Sequence, residues 1–175
     1  MRILAVLRSL EEAGIDYVVV GGVAVVLRGH PRLTVDLDLA LDLSVDNVTA
    51  ALDVLKRLGL EPRLPVPPSQ FAHGPTREMW VRERNLIAFT FFDPQDPLLE
   101  VDLLATTPVS YEDLSARADR LLLGDLRVPV AAIPDLLAMK EGTGRSQDQA
   151  DIEVLTSLLD DRTTSLLDDR NDGNR

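Results

Sequence analysis

The sequence predicts an α+β fold, a mixed β-sheet flanked by helices, on three observations. Short strand-like apolar runs alternate with helically spaced segments through the first sixty residues. The runs LIAFTFF (86–92) and LLEVDLL (98–104) are close enough in sequence to pair as an antiparallel hairpin. The full 175 residues are enough for one domain with a proper core. Residues 1–160 are expected to form that domain, and 161–175 a disordered tail.

Taken in order, Ile3, Leu4, Val6, Leu7 and Leu10 recur at helical spacing, and Gly14 is placed to end a helix over 2–13. Tyr17-Val-Val-Val20 reads as a short buried strand running into Gly21-Gly22. Val23–Leu27 continues as a short apolar helix closed by Gly29. After a turn at His30-Pro31 comes RLTVDLDLAL, Arg32–Leu41, a strand. Ser44 or Asp46 caps a helix that carries Val48, Ala51, Leu52, Leu55 and Leu58 on one face and stops at Gly59.

Residues 61–76 hold five of the eleven prolines and no period, which marks a long connection. The hairpin follows, its strands joined by Asp93-Pro-Gln-Asp-Pro97. Leu126–Val130 is a further strand leading to a helix opened by Pro134 and running to about Lys140. The last helix starts near Gln147 with Ile152, Leu155 and Leu158. Beyond it TSLLDDR occurs twice, at 156–162 and 164–170. Its eight-residue offset rotates the leucine pairs by about 80° on a helix, so they share no stripe, as suits a weakly structured tail.

Composition narrows the function. With no cysteine, disulfides and thiolate metal sites are excluded. The N-terminus lacks a signal-peptide core and no apolar run is long enough to span a bilayer, so a cytoplasmic location and no membrane partner are expected. Eighteen Lys and Arg against 29 Asp and Glu give a charge of -11, which disfavours extended binding to DNA or other nucleic acid. A local basic cleft around one nucleotide or one RNA end is compatible with that charge.

Chemistry concentrates in RLTVDLDLAL. Side chains alternate along a strand, so Asp36 and Asp38 share one face and Leu37 and Leu39 the other, together with Val35. The two Cα atoms lie about 6.5–7 Å apart, within reach of one hard cation such as Mg²⁺. A solvent-facing strand edge has the same pattern. In LLEVDLL, Glu100 and Asp102 again share a face. Were that strand to lie beside RLTVDLDLAL, Asp102 would complete three carboxylates, a cluster that is unfavourable without a cation. Gly21-Gly22, between strand and helix, suits phosphate binding through free N–H groups, as well as a plain tight turn.

Together, Gly21-Gly22, then Arg32-x-Thr34-x-Asp36-x-Asp38, then a later strand aspartate resemble the nucleotidyltransferase superfamily with the DNA-polymerase-β-like fold. The pattern is most similar to the small bacterial AbiEii-type, toxin-associated enzymes. A second segment, Lys140, Arg145 and Asp148-x-x-Asp151-Ile152, is similar to that family's K…R-x-K-D-x-x-D-I motif, with Gln147 where lysine is frequent.

The resemblance implies a metal-dependent enzyme using one or two Mg²⁺ ions held by Asp36, Asp38 and Asp102, with an NTP as donor. It also implies nucleotide contacts from Gly21, Gly22, Arg32, Thr34, Lys140 and Arg145. The acceptor hydroxyl would belong to a tRNA or other RNA end, a protein or a small molecule, and a cognate antitoxin is an expected partner. A non-catalytic binding or regulatory module on the same fold is the alternative. Lys140 also suits a helix end, and Arg145 a pairing with Asp148 or Asp151, both read as mainly structural. Arg28 and His30 flank the site and either bind phosphate or balance the acids; Trp80 reads as packing.

Overall fold

The computed structural model describes residues 2–172, the side chains of residues 2, 97 and 162–172 excepted. The chain opens with helix α1 (Arg2–Glu12), strand β1 (Tyr17–Val20), helix α2 (Gly21–Leu27), strand β2 (Asp36–Leu41) and helix α3 (Val45–Arg57). Strand β3 (Glu61–Pro62), helices α4 (Ser69–Ala72) and α5 (Gly74–Arg84), and strands β4 (Ala88–Asp93) and β5 (Asp96–Leu104) follow. Helix α6 (Tyr111–Arg117), strands β6 (Asp119–Leu123) and β7 (Leu126–Val130), and helices α7 (Ile133–Lys140) and α8 (Ser146–Asp172) complete it.

Among the described residues one mixed sheet runs β3-β4-β5-β2-β1-β7-β6. The central strand β2 lies antiparallel to β1 and parallel to β5, and the β4–β5 and β6–β7 hairpins flank this centre. On β2, Leu37, Leu39 and Leu41 are almost fully buried. Each such leucine contributes roughly 1.5–3 kcal/mol by leaving water. A slip of one residue would exchange them for Asp36, Asp38 and Ala40, so the apolar face fixes the register and with it the side on which the acids stand.

Several elements differ from expectation. Strand β2 begins at Asp36, not Arg32, because its neighbours run out: the β1 ladder ends at Val20 opposite Asp38, and the β5 ladder starts at Glu100 opposite Asp36. Residues 32–35 therefore lie outside the sheet, and Leu33 and Val35 are 95% and 46% exposed rather than packed against the core. The 61–76 connection carries the short strand β3 and helix α4, and helix α5 starts inside it. In the hairpin the turn tightens to Pro94-Gln95, with the Asp93 carboxylate accepting from the Gln95 N–H at 2.8 Å.

Helix α5 was not legible because Met79, Trp80 and Val81 are contiguous rather than spaced by turns. Trp80 is buried and stacks on Phe89 at 5.9 Å, a packing role. Helix α6 and strand β6 are equally unheralded. The former is a seven-residue helix capped by Ser110, whose hydroxyl accepts from the Asp113 N–H. Leu58 is the C-cap of α3 and lies partly exposed, off its apolar face. Helix α8 continues through both TSLLDDR copies to Asp172. The side chains of the expected tail from residue 162 on, and all of 173–175, lie outside the described residues.

Candidate active site

The parallel pairing of β2 with β5 sets Asp36 opposite Glu100 and Asp38 opposite Asp102. Since paired residues of neighbouring strands share a face, four carboxylates stand together on the side away from Leu37 and Leu39. Glu100 is tied off by an ion pair with Arg63. Asp36, Asp38 and Asp102 remain as the acidic end of the sheet.

Helix α2 starts against this end. Gly21 has φ +59, and a Cβ there would overlap the Asp38 carboxylate. At Gly22 a Cβ would overlap the Thr34 hydroxyl and come within 2.9 Å of the Arg32 guanidinium. Both glycines are thus required by close approach, beyond the needs of a tight turn. The Gly22 N–H donates to the Asp38 carboxylate, so at least one free amide of this helix start is turned to a protein anion.

The electrostatics are those of an acid cluster short of cations. Burial, reinforced by the neighbouring Asp102 and Asp36, pushes Asp38 up to about 6 against the pull of the Gly22 N–H and Lys140. Asp102 is raised as well, by burial first and also by Asp36; a hydrogen bond with Thr90, across on β4, and the charge of Arg63 act against the rise. Asp102 Oδ1 is buried and has no hydrogen-bond partner. Hard carboxylate oxygens, one of them orphaned, suit Mg²⁺ in kind. Among the described residues no set of three acidic or histidine side chains is closed to a ready metal cage. What brings these acids together is the backbone register.

The residues expected to hold metal or nucleotide, Gly21, Gly22, Arg32, Thr34, Asp36, Asp38, Asp102, Lys140 and Arg145, all line one cleft of about 670 Å³. The cations differ in their engagement. Arg32 is paired through Nε with Asp151 Oδ1 at 2.9 Å and donates from Nη2 to Oδ2 at 3.0 Å. Lys140, itself buried, contacts Asp148 at 2.7 Å and Asp151 at 2.8 Å. Arg145 is exposed at the cleft wall. Thus Asp148 and Asp151 serve Lys140 and Arg32.

Arg28 does not face the site. It is buried, donating to the Ala131 and Val130 carbonyls and pairing with Asp119, and so clamps α2 to β6 and β7. His30 turns instead toward Asp151, at 3.6 Å. Sequence reasoning missed Thr90, and it read Asp151 as mainly structural, a partner for Arg145 rather than for Arg32 and Lys140. Thr90 sits in an apolar strand with nothing to mark it, and Asp151 lies in a polar run, SQDQADIE, that resembles an exposed helix face.

A sequence profile described as "Nucleotidyl transferase AbiEii toxin, Type IV TA system" matches residues 2–141. No curated protein matches the sequence. Among solved structures, the lincomycin-bound lincosamide antibiotic adenylyltransferase LnuA is similar, with a TM-score of 0.57 and 14% identity over 89% of this chain and 95% of that one. ANT(2")-Ia in complex with adenylyl-2"-tobramycin is similar with a TM-score of 0.59 and 12% identity over 94% and 91%. At such identities the likeness establishes the fold, the polymerase-β-like architecture of nucleotidyltransferases. Among the described residues no helix is long and apolar enough to cross a membrane.

Proposed function

Because the chain belongs to the nucleotidyl transferase AbiEii toxin family, we propose that it transfers an NMP from an NTP to an acceptor hydroxyl in a metal-dependent reaction. The observation that carries this reading is the register of Asp38 with Asp102 beside a glycine turn that admits no side chain. Asp36, Asp38 and Asp102 would hold one or two Mg²⁺ ions. When bound, such ions neutralise the triphosphate and stabilise the leaving pyrophosphate.

The chain's own residues do the rest. Lys140, Arg145 and Arg32 draw the phosphates into the cleft, and Gly21 and Gly22 let them approach the backbone. The acceptor oxygen forms a bond to the α-phosphorus as the bond to the β-phosphate bridging oxygen breaks. The acceptor proton passes to Asp102, whose raised proton affinity suits a base.

The acceptor belongs to a tRNA or other RNA end, a protein or a small molecule; the two solved relatives are described with antibiotics, and a label-transfer panel over these classes distinguishes them. A cognate antitoxin is the partner implied by the family description. With an α-labelled NTP, Asp36→Ala is expected to abolish label transfer while the thermal melt stays cooperative. Retained transfer in that variant would overturn the reading.

One observation favours a second reading, a non-catalytic module: two of the expected phosphate cations, Arg32 and Lys140, are already engaged by aspartates. A thermal shift separates the two, since the enzyme is stabilised by Mg²⁺ and NTP together and the module by neither.

A further inference from the structure

Two aspartates less than one turn apart on α8 both reach the ammonium of Lys140, Asp148 at 2.7 Å and Asp151 at 2.8 Å. In other respects they differ. The Asp151 side chain has no exposed surface and also pairs with Arg32 at 2.9 Å, with His30 at 3.6 Å. Asp148 keeps 15% of its side chain exposed, lines the cleft, and accepts from the Thr143 hydroxyl at 2.8 Å. Burial tends to raise the Asp148 pKa, but the bonds from Lys140 and Thr143 outweigh it and hold the group below the usual carboxylate range. The transfer chemistry uses neither residue.

A buried carboxylate between two cations cannot be exchanged for a solvent anion without stranding charge in the interior. A carboxylate on the cleft wall can be exchanged, because water takes it up as it leaves. Lys140 has three N–H donors, and with two aspartates against it a phosphate must either crowd in or replace one of them. Only Asp148 stands where replacement is cheap. Arg32 meanwhile sits against Gly22, so whatever fixes its guanidinium also fixes the cation at the glycine turn.

We propose that Asp151 is a positioning residue that holds Arg32 and Lys140 toward the nucleotide cleft, and that Asp148 is a displaceable counter-anion that occupies Lys140 until a nucleotide phosphate replaces it. The proposal rests on the nucleotidyl-transfer reading. It also resolves the tension in that reading: one aspartate is kept and the other gives way.

The test is calorimetric titration of the full chain with inorganic tripolyphosphate, and with an NTP plus Mg²⁺, alongside steady-state KM and kcat. Loss of the competing charge in Asp148→Asn should tighten tripolyphosphate several-fold and lower the NTP KM, with kcat little changed. Asp151→Asn should weaken binding by roughly tenfold or more, as expected when one partner of a buried charge pair is removed. Opposite signs from two neighbouring aspartates are the signature; a purely structural role would weaken binding in both.

Should Asp151→Asn fail to fold, Asp148→Asn carries the test alone. Unchanged or weaker binding in it, with a wild-type chain that binds, overturns the inference and leaves the transfer reading standing. A wild-type chain that binds neither tripolyphosphate nor NTP overturns both.

Discussion

Asp38 lines the cleft and Asp151 lies buried beside it, joined to the cleft residues Arg32 and Lys140, and the two are treated in opposite ways. Asp38 is withdrawn from water among other acids, with the Gly22 N–H and the charge of Lys140 for support, and its proton affinity still rises. Asp151 is buried more completely, yet it meets Arg32 and Lys140 directly. Burying an unbalanced charge costs stability, while a matched set roughly breaks even. In the first arrangement a proton or an outside cation can relieve the charge, as the raised proton affinity of Asp38 shows; the second is complete within the fold. The contrast separates a carboxylate left short of positive charge from one matched within the fold more sharply than either sequence context does.

The largest effect on this contrast should come from Asp151→Ala, which strands two cations. Loss of about 3–5 kcal/mol in urea unfolding is expected, and a loss below about 1 kcal/mol would make the two aspartates equivalent after all. Asp38→Asn should do the reverse to the metal-free chain. Raised from 3.8 to about 6 in the fold, Asp38 binds its proton more tightly when folded. Its stabilising contribution is therefore fully present below about pH 3.8 and lost as pH rises through 6. Replacing it with asparagine should flatten that part of the stability–pH curve and raise stability at neutral pH by up to about 3 kcal/mol, while label transfer disappears.

Gly21→Ala tests the geometry between these extremes. Both the positive φ and the overlap with Asp38 oppose a Cβ, so a loss of about 1–3 kcal/mol is expected in the melt, with transfer reduced by displacement of Asp38. The smallest change is Thr90→Val. It removes the bond that lowers Asp102, so the acid limb of the transfer profile should move to higher pH, with stability altered by about 1 kcal/mol or less.

Much of this was readable along the chain because it is local. The period of two in RLTVDLDLAL announces that Asp36 and Asp38 share a face, and Leu37 and Leu39 announce which face is buried. Gly21-Gly22 between an apolar strand and an apolar helix marks a tight turn with free N–H groups. Strand β2 was nonetheless read four residues too long, because composition shows what suits a strand and not where its partners end.

Sequence alone therefore determined the elements near the site, the shared face of its acids and the glycine turn, since these follow from the backbone's own periodicity. Tertiary structure decided the pairing of Asp38 with Asp102 across 64 positions of sequence, the Thr90 bond behind it, and the assignment of Lys140 and Arg32 to Asp151. Those depend on which strands become neighbours and on which charge is left without water. That is settled by burial and register over the whole core, where a carboxylate's own neighbours in sequence carry no vote.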